Sequence, residues 1–228
     1  MREIVLDTET TGLSYASGDR IVEIACLELI NHIPTENCYQ VYINPEREMS
    51  ADAEQITGIS TLFLIDKPLF KDIAQGFIDF IQDSTLIIHN AKFDVGFLNH
   101  ELNVLHNFNY EIEMSRCIDT LEIARQKFTG AQNSLDALCK RYNIDRSKRV
   151  KHGALVDCEL LAEVYLQLIG GAQCSLFAVN KFENLNETLQ KKKGIQKPYR
   201  SFPASEEEKR LHKEFLEKDI KNYIWEFK

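Results

Sequence analysis

The chain of 228 residues contains no run of about 20 apolar residues, so no segment reads as a membrane-spanning helix. Nor is there room for a signal peptide, because Met1-Arg2-Glu3-Ile4 leads straight into an apolar stretch. That predicts a cytoplasmic protein. None of the six cysteines (Cys26, Cys38, Cys117, Cys139, Cys158, Cys174) forms a CxxC pair. The spacing excludes a zinc ribbon or dithiol redox motif and fits reduced thiols better than a disulfide framework. An excess of positive charge is also missing. Lys and Arg number 27 against 35 Asp and Glu, a net charge of −8, which excludes broad, salt-driven binding to duplex nucleic acid. A nuclease is not excluded, since clustered carboxylates add negative charge that metals neutralise locally. Otherwise the composition is that of an ordinary globular protein, 44% apolar and 27% charged. The length suits one domain with an appendage.

What is present begins at Ile4-Val5-Leu6-Asp7-Thr8-Glu9-Thr10-Thr11-Gly12-Leu13. Three branched apolar residues predict a buried strand. Side chains alternate faces along a strand, so Asp7 and Glu9 point the same way. Two like charges at one buried strand end are costly, and a bound cation relieves them. Oxygen ligands without nearby Cys or His favour Mg²⁺ or Mn²⁺. The stretch alone is equally compatible with two acids at a solvated strand end.

Further along, Arg20 to Ile30 reads as a second strand, with Glu23 inside it, and Tyr39 to Ile43 as a third, ended by Asn44-Pro45. Strands without helices between them suggest an antiparallel meander. Ser50 to Ile59 suits a short helix and turn, and Pro68 to Ile81 an amphipathic helix. Leu86-Ile87-Ile88 is a buried strand running into Asn90, a suitable N-cap for a helix carrying Phe93, Phe97, Leu98 and Leu102. Helices follow over Asp119 to Phe128, Ser134 to Tyr142 and residues 153 to 169, the last closed by Gly170-Gly171. Strands first and helices later, with one βα crossover, predict a mixed-sheet α/β domain ending near residue 170. Beyond it, residues 171–200 read as a linker, of which Asn180 to Lys197 is polar and contains Lys191-Lys192-Lys193. Within the remaining segment, 201–228, Ser205 to Tyr223 opens Ser-Glu-Glu-Glu, a capping-box start, and has an apolar side suited to docking on a partner.

Asp94 falls in the first turn of the helix after Leu86-Ile87-Ile88, where a helix-dipole partner is the plainer reading. His152 and Asp157 are separated by five residues, about 140° around a helix, and cannot share a helical face. They meet only if His152 sits on the loop before the last helix.

Taken together, the order Asp-x-Glu, Asp, His-x4-Asp resembles the DEDDh group of 3′→5′ exonucleases, whose fold is ribonuclease H-like. VLDTETTGL, IIHNAKFDVGFLNHE, NSLDALCKRYNID and HGALVDCELLAEVYL extend the likeness from about Ile4 to Leu168. They are similar to the proofreading epsilon subunits of bacterial DNA polymerase III. The resemblance implies a mixed five-stranded sheet flanked by helices, in an exonuclease domain over residues 1–170. It implies that Asp7, Glu9, Asp94 and Asp157 hold two divalent ions, Mg²⁺ or Mn²⁺, with His152 as general base. It also implies substrate contacts from Asp7, Glu9 and Asp157, and from two positions where the chain departs from the family. The family's usual Glu and His are Asp52 and Thr57 here. Asp52 can accept a hydrogen bond from a 3′-hydroxyl but reaches less far, and Thr57 has no imidazole to offer.

Past the domain, Gln173-Cys174-Ser175-Leu176-Phe177 resembles the pentapeptide by which bacterial replication proteins bind the sliding clamp, the Gln making polar contacts while Leu176 and Phe177 fill an apolar groove. The competing reading is a hydrophobic cap folding back on the domain. The partners implied are the frayed 3′ end of DNA, the polymerase (alpha) subunit through the C-terminal segment, the clamp through 173–177, and a small third core subunit. The nearest enzymatic alternative is a stand-alone DEDDh nuclease in RNA maturation or DNA repair, which needs neither clamp peptide nor tethered helix. A non-enzymatic assembly subunit is the other alternative, and the presence of all five residue types in order argues against it.

Overall fold

Ile4, Val5 and Leu6 are fully buried because their strand lies at the centre of the sheet. β1 (Arg2–Thr10) pairs antiparallel with β2 (Ile21–Ile30) and parallel with β4 (Thr85–Ile88). β3 (Ile33–Tyr42) continues the antiparallel side and β5 (Cys117–Asp119) the parallel side, giving the order β3-β2-β1-β4-β5. A strand covered on both faces needs no polar alternation, which explains the continuous apolar run before Asp7.

The two faces bury different helices. Ile4, Leu6, Ile24 and Ile88 pack with Phe77 of α3 (Phe70–Ile81) and with Phe97 and Leu98 of α4 (Ala91–Val104). Val5, Ala25, Leu27 and Ile87 pack with Cys158, Leu161 and Tyr165 of α7 (Ala154–Leu168). α5 (Thr120–Lys127) and α6 (Leu135–Tyr142) cover the outer side of α7 through Ala124, Leu138 and Cys139. α1 (Ala51–Thr57) and α2 (Thr61–Leu64) sit beside the start of β2, where Ala53 and Leu64 enclose Val22. α1 is fixed at both ends, by the Ser50 hydroxyl accepting from the Ala53 N–H and by Gly58, whose φ of 77° only glycine adopts cheaply.

The computed structural model describes residues 1–105, 109–147, 152–170 and 205–219, without the side chains of 217 and 219. The mixed five-stranded sheet flanked by helices is the expected one. Three details differ. β3 starts at Ile33, not Tyr39, because Pro34 to Cys38 lie on an edge strand whose exposed faces carry no apolar alternation. β5 is only three half-buried residues long, too short for a periodic signal. Asn90 occupies the N-cap position of α4 but in a left-handed conformation (φ 75°), with no side-chain capping bond. The carboxylate of Asp119 serves instead: it accepts from the N–H groups of Asn90 and Ala91, and also from those of Leu121 and Glu122 at its own helix.

The chain divides into two units, Met1–Phe177 and Ala178–Lys228. In the second, α8 (Glu206–Asp219) opens on the expected reciprocal cap, the Glu208 N–H donating to the Ser205 hydroxyl while the Ser205 N–H donates to the Glu208 carboxylate. The clamp-like peptide with Gln173, Ser175, Leu176 and Phe177, the lysine run and residues 220–228 lie outside the described residues. No described helix is long and apolar enough to cross a membrane.

Candidate active site

Odd-numbered residues of β1 face α7, and Asp7 and Glu9 continue that row past Val5 to the strand's end. Burial lifts the Asp7 carboxyl well above the usual carboxylate range, and the charges of Asp94, Glu9, Asp157 and Glu23 lift it further, in that order. Asp7 is therefore the hub at which the four sequence-selected acids meet.

Asp94 comes from the opposite face of the sheet, at the first turn of α4. Its Oδ1 accepts from the Thr8 hydroxyl at 2.7 Å and from the Thr8 N–H at 3.1 Å. Burial pushes the Asp94 carboxyl up to about 7 despite these two bonds, which favour the ionised form. α4 is set in place from behind by Asp119 at its N-terminus and, near its other end, by Glu101, whose carboxylate takes both Arg20 bonds at 2.7 Å.

His152 and Asp157 meet as the five-residue spacing requires. His152 lies on the loop, Gly153 is the extended N-cap residue (φ −154°, ψ 127°), and Asp157 is in the first turn of α7. The imidazole Nδ1 is 3.3 Å from Asp157 Oδ2. The loop is tied on two sides: the His152 N–H donates to the Ile56 carbonyl of α1 at 3.2 Å, and the Ala154 N–H to Glu23 Oε2 of β2 at 3.2 Å. Side-chain donor atoms of Glu9, His152 and Asp157 all lie within 4.8 Å of one another, a spacing that suits one shared cation.

A cleft of about 500 Å³ opens beside Glu9, between the end of β1 and α1. Asp52 and Thr57 both line it. Asp52 is exposed. The Thr57 hydroxyl is committed to its own helix end, donating to the Ala53 carbonyl at 2.9 Å and accepting from the Ile59 N–H at 3.1 Å. Leu13, Ile56 and Phe93 form apolar walls that the sequence pattern did not single out for the site. Phe93, on the helix that follows Asn90, packs against the core and lines the cleft as well. Leu13 is 86% exposed, and an isolated exposed leucine leaves no periodic signal. Glu23 was visible only as an acid inside a strand. A larger groove of about 730 Å³, around His89, Arg125 and Asn133, contains none of these acids.

The sequence model of the RNase_T exonuclease family matches residues 4–165. The DNA polymerase III subunit epsilon of Rickettsia prowazekii (strain Madrid E) is 51% identical over 221 residues, 96% of each chain. Among solved structures, exonuclease X in complex with 5′ overhanging duplex DNA aligns with a TM-score of 0.56 at 26% identity, over 75% of this chain and 93% of that one. The nuclease domain of 3′hExo, a DEDDh family member bound to rAMP, aligns with a TM-score of 0.62 at 18% identity, over 75% and 92%, and shares the fold. A match of this extent places the chain in the RNase_T exonucleases and, within them, in the family of DNA polymerase III epsilon subunits.

Proposed function

We propose that this chain is a 3′→5′ exonuclease that proofreads DNA synthesis as the epsilon subunit of a bacterial DNA polymerase III. It hydrolyses the terminal phosphodiester of a frayed primer end and releases nucleoside 5′-monophosphates. The observation that carries the proposal is the gathering of Asp94, Glu9 and Asp157 around Asp7, with His152 against Asp157 at their edge. Four acids crowded until burial and mutual repulsion raise Asp7 form a set whose charge a bound cation relieves. The residues fit two divalent ions, Mg²⁺ or Mn²⁺, held by Asp7, Glu9, Asp94 and Asp157. Bound there, the ions supply charge stabilisation for the reacting phosphate.

The chain's own residues do the rest. Asp157 faces His152 Nδ1 and orients the ring. The imidazole accepts the proton of the attacking water. Asp52 accepts a hydrogen bond from the terminal 3′-hydroxyl, and the last base lies between Leu13, Ile56 and Phe93. A mispaired end unstacks more cheaply than a paired one, so preference for errors needs no base reading. The acidic chain needs to hold only the frayed end. Residues 1–170 form the nuclease and 171–200 the tether. The segment 173–177 binds the sliding clamp, and 201–228 docks on the polymerase subunit, beside a small third core subunit, in the bacterial cytoplasm.

The test is incubation of the full chain with Mg²⁺ and a 3′-mispaired primer–template, expecting release of 5′-mononucleotides from the primer terminus. Removing residues 201–228 is expected to abolish retention by the polymerase subunit and leave that release intact. A full-length chain that liberates no mononucleotide under these conditions overturns the proposal.

A further inference from the structure

Glu23 is a fifth acid at the site. It is 1% exposed and stands on β2 directly opposite Glu9, with its side chain on the face that carries α7. A buried carboxylate is costly unless every lone pair is matched. Here the matching comes from protein donors. Glu23 Oε1 accepts from the Gln40 side-chain amide at 2.7 Å, and Oε2 accepts from the Ala154 N–H at 3.2 Å. Ala154 is the first residue of α7, and the N-cap residue before it, Gly153, has no side chain with which to cap the helix. The missing cap is delivered from 131 residues away in sequence. The negative charge also suits the positive end of the helix.

We propose that Glu23 is a positioning residue for the exonuclease reaction. By holding the Ala154 N–H it fixes the point between His152 and Asp157, so that the imidazole and the carboxylate keep their distance from each other and from Glu9. The inference rests on the function proposed above. What the position requires is an acceptor for the Ala154 N–H. A glutamine at 23 keeps that acceptor, because the Gln40 amide can turn over to meet its NH₂, whereas an alanine leaves the Ala154 N–H unmatched.

The first measurement is hydrogen exchange at the Ala154 amide in the metal-free full chain, which needs no activity. Glu23→Ala is expected to speed that exchange at least tenfold, while amides in the middle of α7 keep their protection. Unchanged exchange at Ala154 overturns the proposal whether or not the chain is a nuclease. Turnover on the mispaired primer–template is the second measurement. Glu23→Ala is expected to lower kcat by about 10–100-fold with KM within about twofold, the scale seen when a residue supporting a metal site is removed. Glu23→Gln, which keeps an acceptor for the Ala154 N–H, is expected to retain most of the parent's rate. In a His152→Ala background, Glu23→Ala should cost much less than in the parent, because the ring it positions is already gone. An equal loss in both backgrounds, or no loss in the parent, overturns the proposal. A parent chain that releases no nucleotide sinks the functional reading alone and leaves the exchange result to decide for Glu23.

Discussion

The Thr8 hydroxyl donates to Asp94 Oδ1 over 2.7 Å, joining the central strand to a helix on the opposite face at the place where the acids converge. Thr8→Val keeps the shape and the backbone bond from the Thr8 N–H but removes this donor. The hydroxyl favours the ionised carboxylate, so its loss pushes the Asp94 carboxyl further up. Expected are an Mn²⁺ affinity roughly tenfold weaker and an optimum shifted to higher pH, with the fold retained. Calorimetric titration of Mn²⁺ checks this; an affinity equal to the parent's means the hydroxyl contributes nothing to Asp94.

Metal-free protein should lose stability as pH rises. Asp94 has its carboxyl at about 7 in the folded chain, against about 4 in an unfolded one, and Asp7 is raised as well. Between those limits the folded state holds the extra protons, so stability is greatest below pH 4 as far as these groups go and falls towards pH 7. Bound cations remove the cause. In EDTA the Tm is expected to fall from pH 5 to pH 7.5, and saturating Mn²⁺ should raise it more at pH 7.5 than at pH 5. Equal stabilisation at both values contradicts the assignment of these acids to a cation site.

The reaching of His152 to Asp157 was legible in sequence because helix geometry allows it in one way only, with the histidine on the loop. Asp7 and Glu9 were legible because a strand repeats every two residues. Neither rule reaches across the sheet. The Thr8–Asp94 bond joins residues 86 apart in the chain, and the Glu23–Ala154 bond joins residues 131 apart. Local preference also misled at Asn90, a sound N-cap type, whose left-handed backbone leaves its side chain without a capping bond while Asp119, from the neighbouring strand end, accepts from the Asn90 and Ala91 amides. The apolar walls of the cleft were missed for a related reason. An exposed Leu13 lines the cleft and stays out of the core, and periodicity reports only the core.

Asp52 projects into the cleft from the first turn of α1, where the resembling family has the longer Glu. Asp52→Glu is expected to lower KM for a primer end a few-fold and leave kcat unchanged, since it adds reach to a group that binds ground state and transition state alike. α1 should be undisturbed, because either acid suits a helix N-terminus. Steady-state kinetics on a mispaired primer check the split, and a raised KM would remove Asp52 from the substrate site.

His152 admits two roles, because its Nδ1 lies 3.3 Å from Asp157 and its ring offers a nitrogen to the cluster that Glu9 completes. As general base it is dispensable for cation binding; as a ligand it is not. His152→Ala is expected to reduce turnover by about 10²–10⁴-fold and to change Mn²⁺ affinity little. Turnover and Mn²⁺ affinity falling together would move the imidazole into the ligand set, and an unchanged rate would remove it from the chemistry altogether.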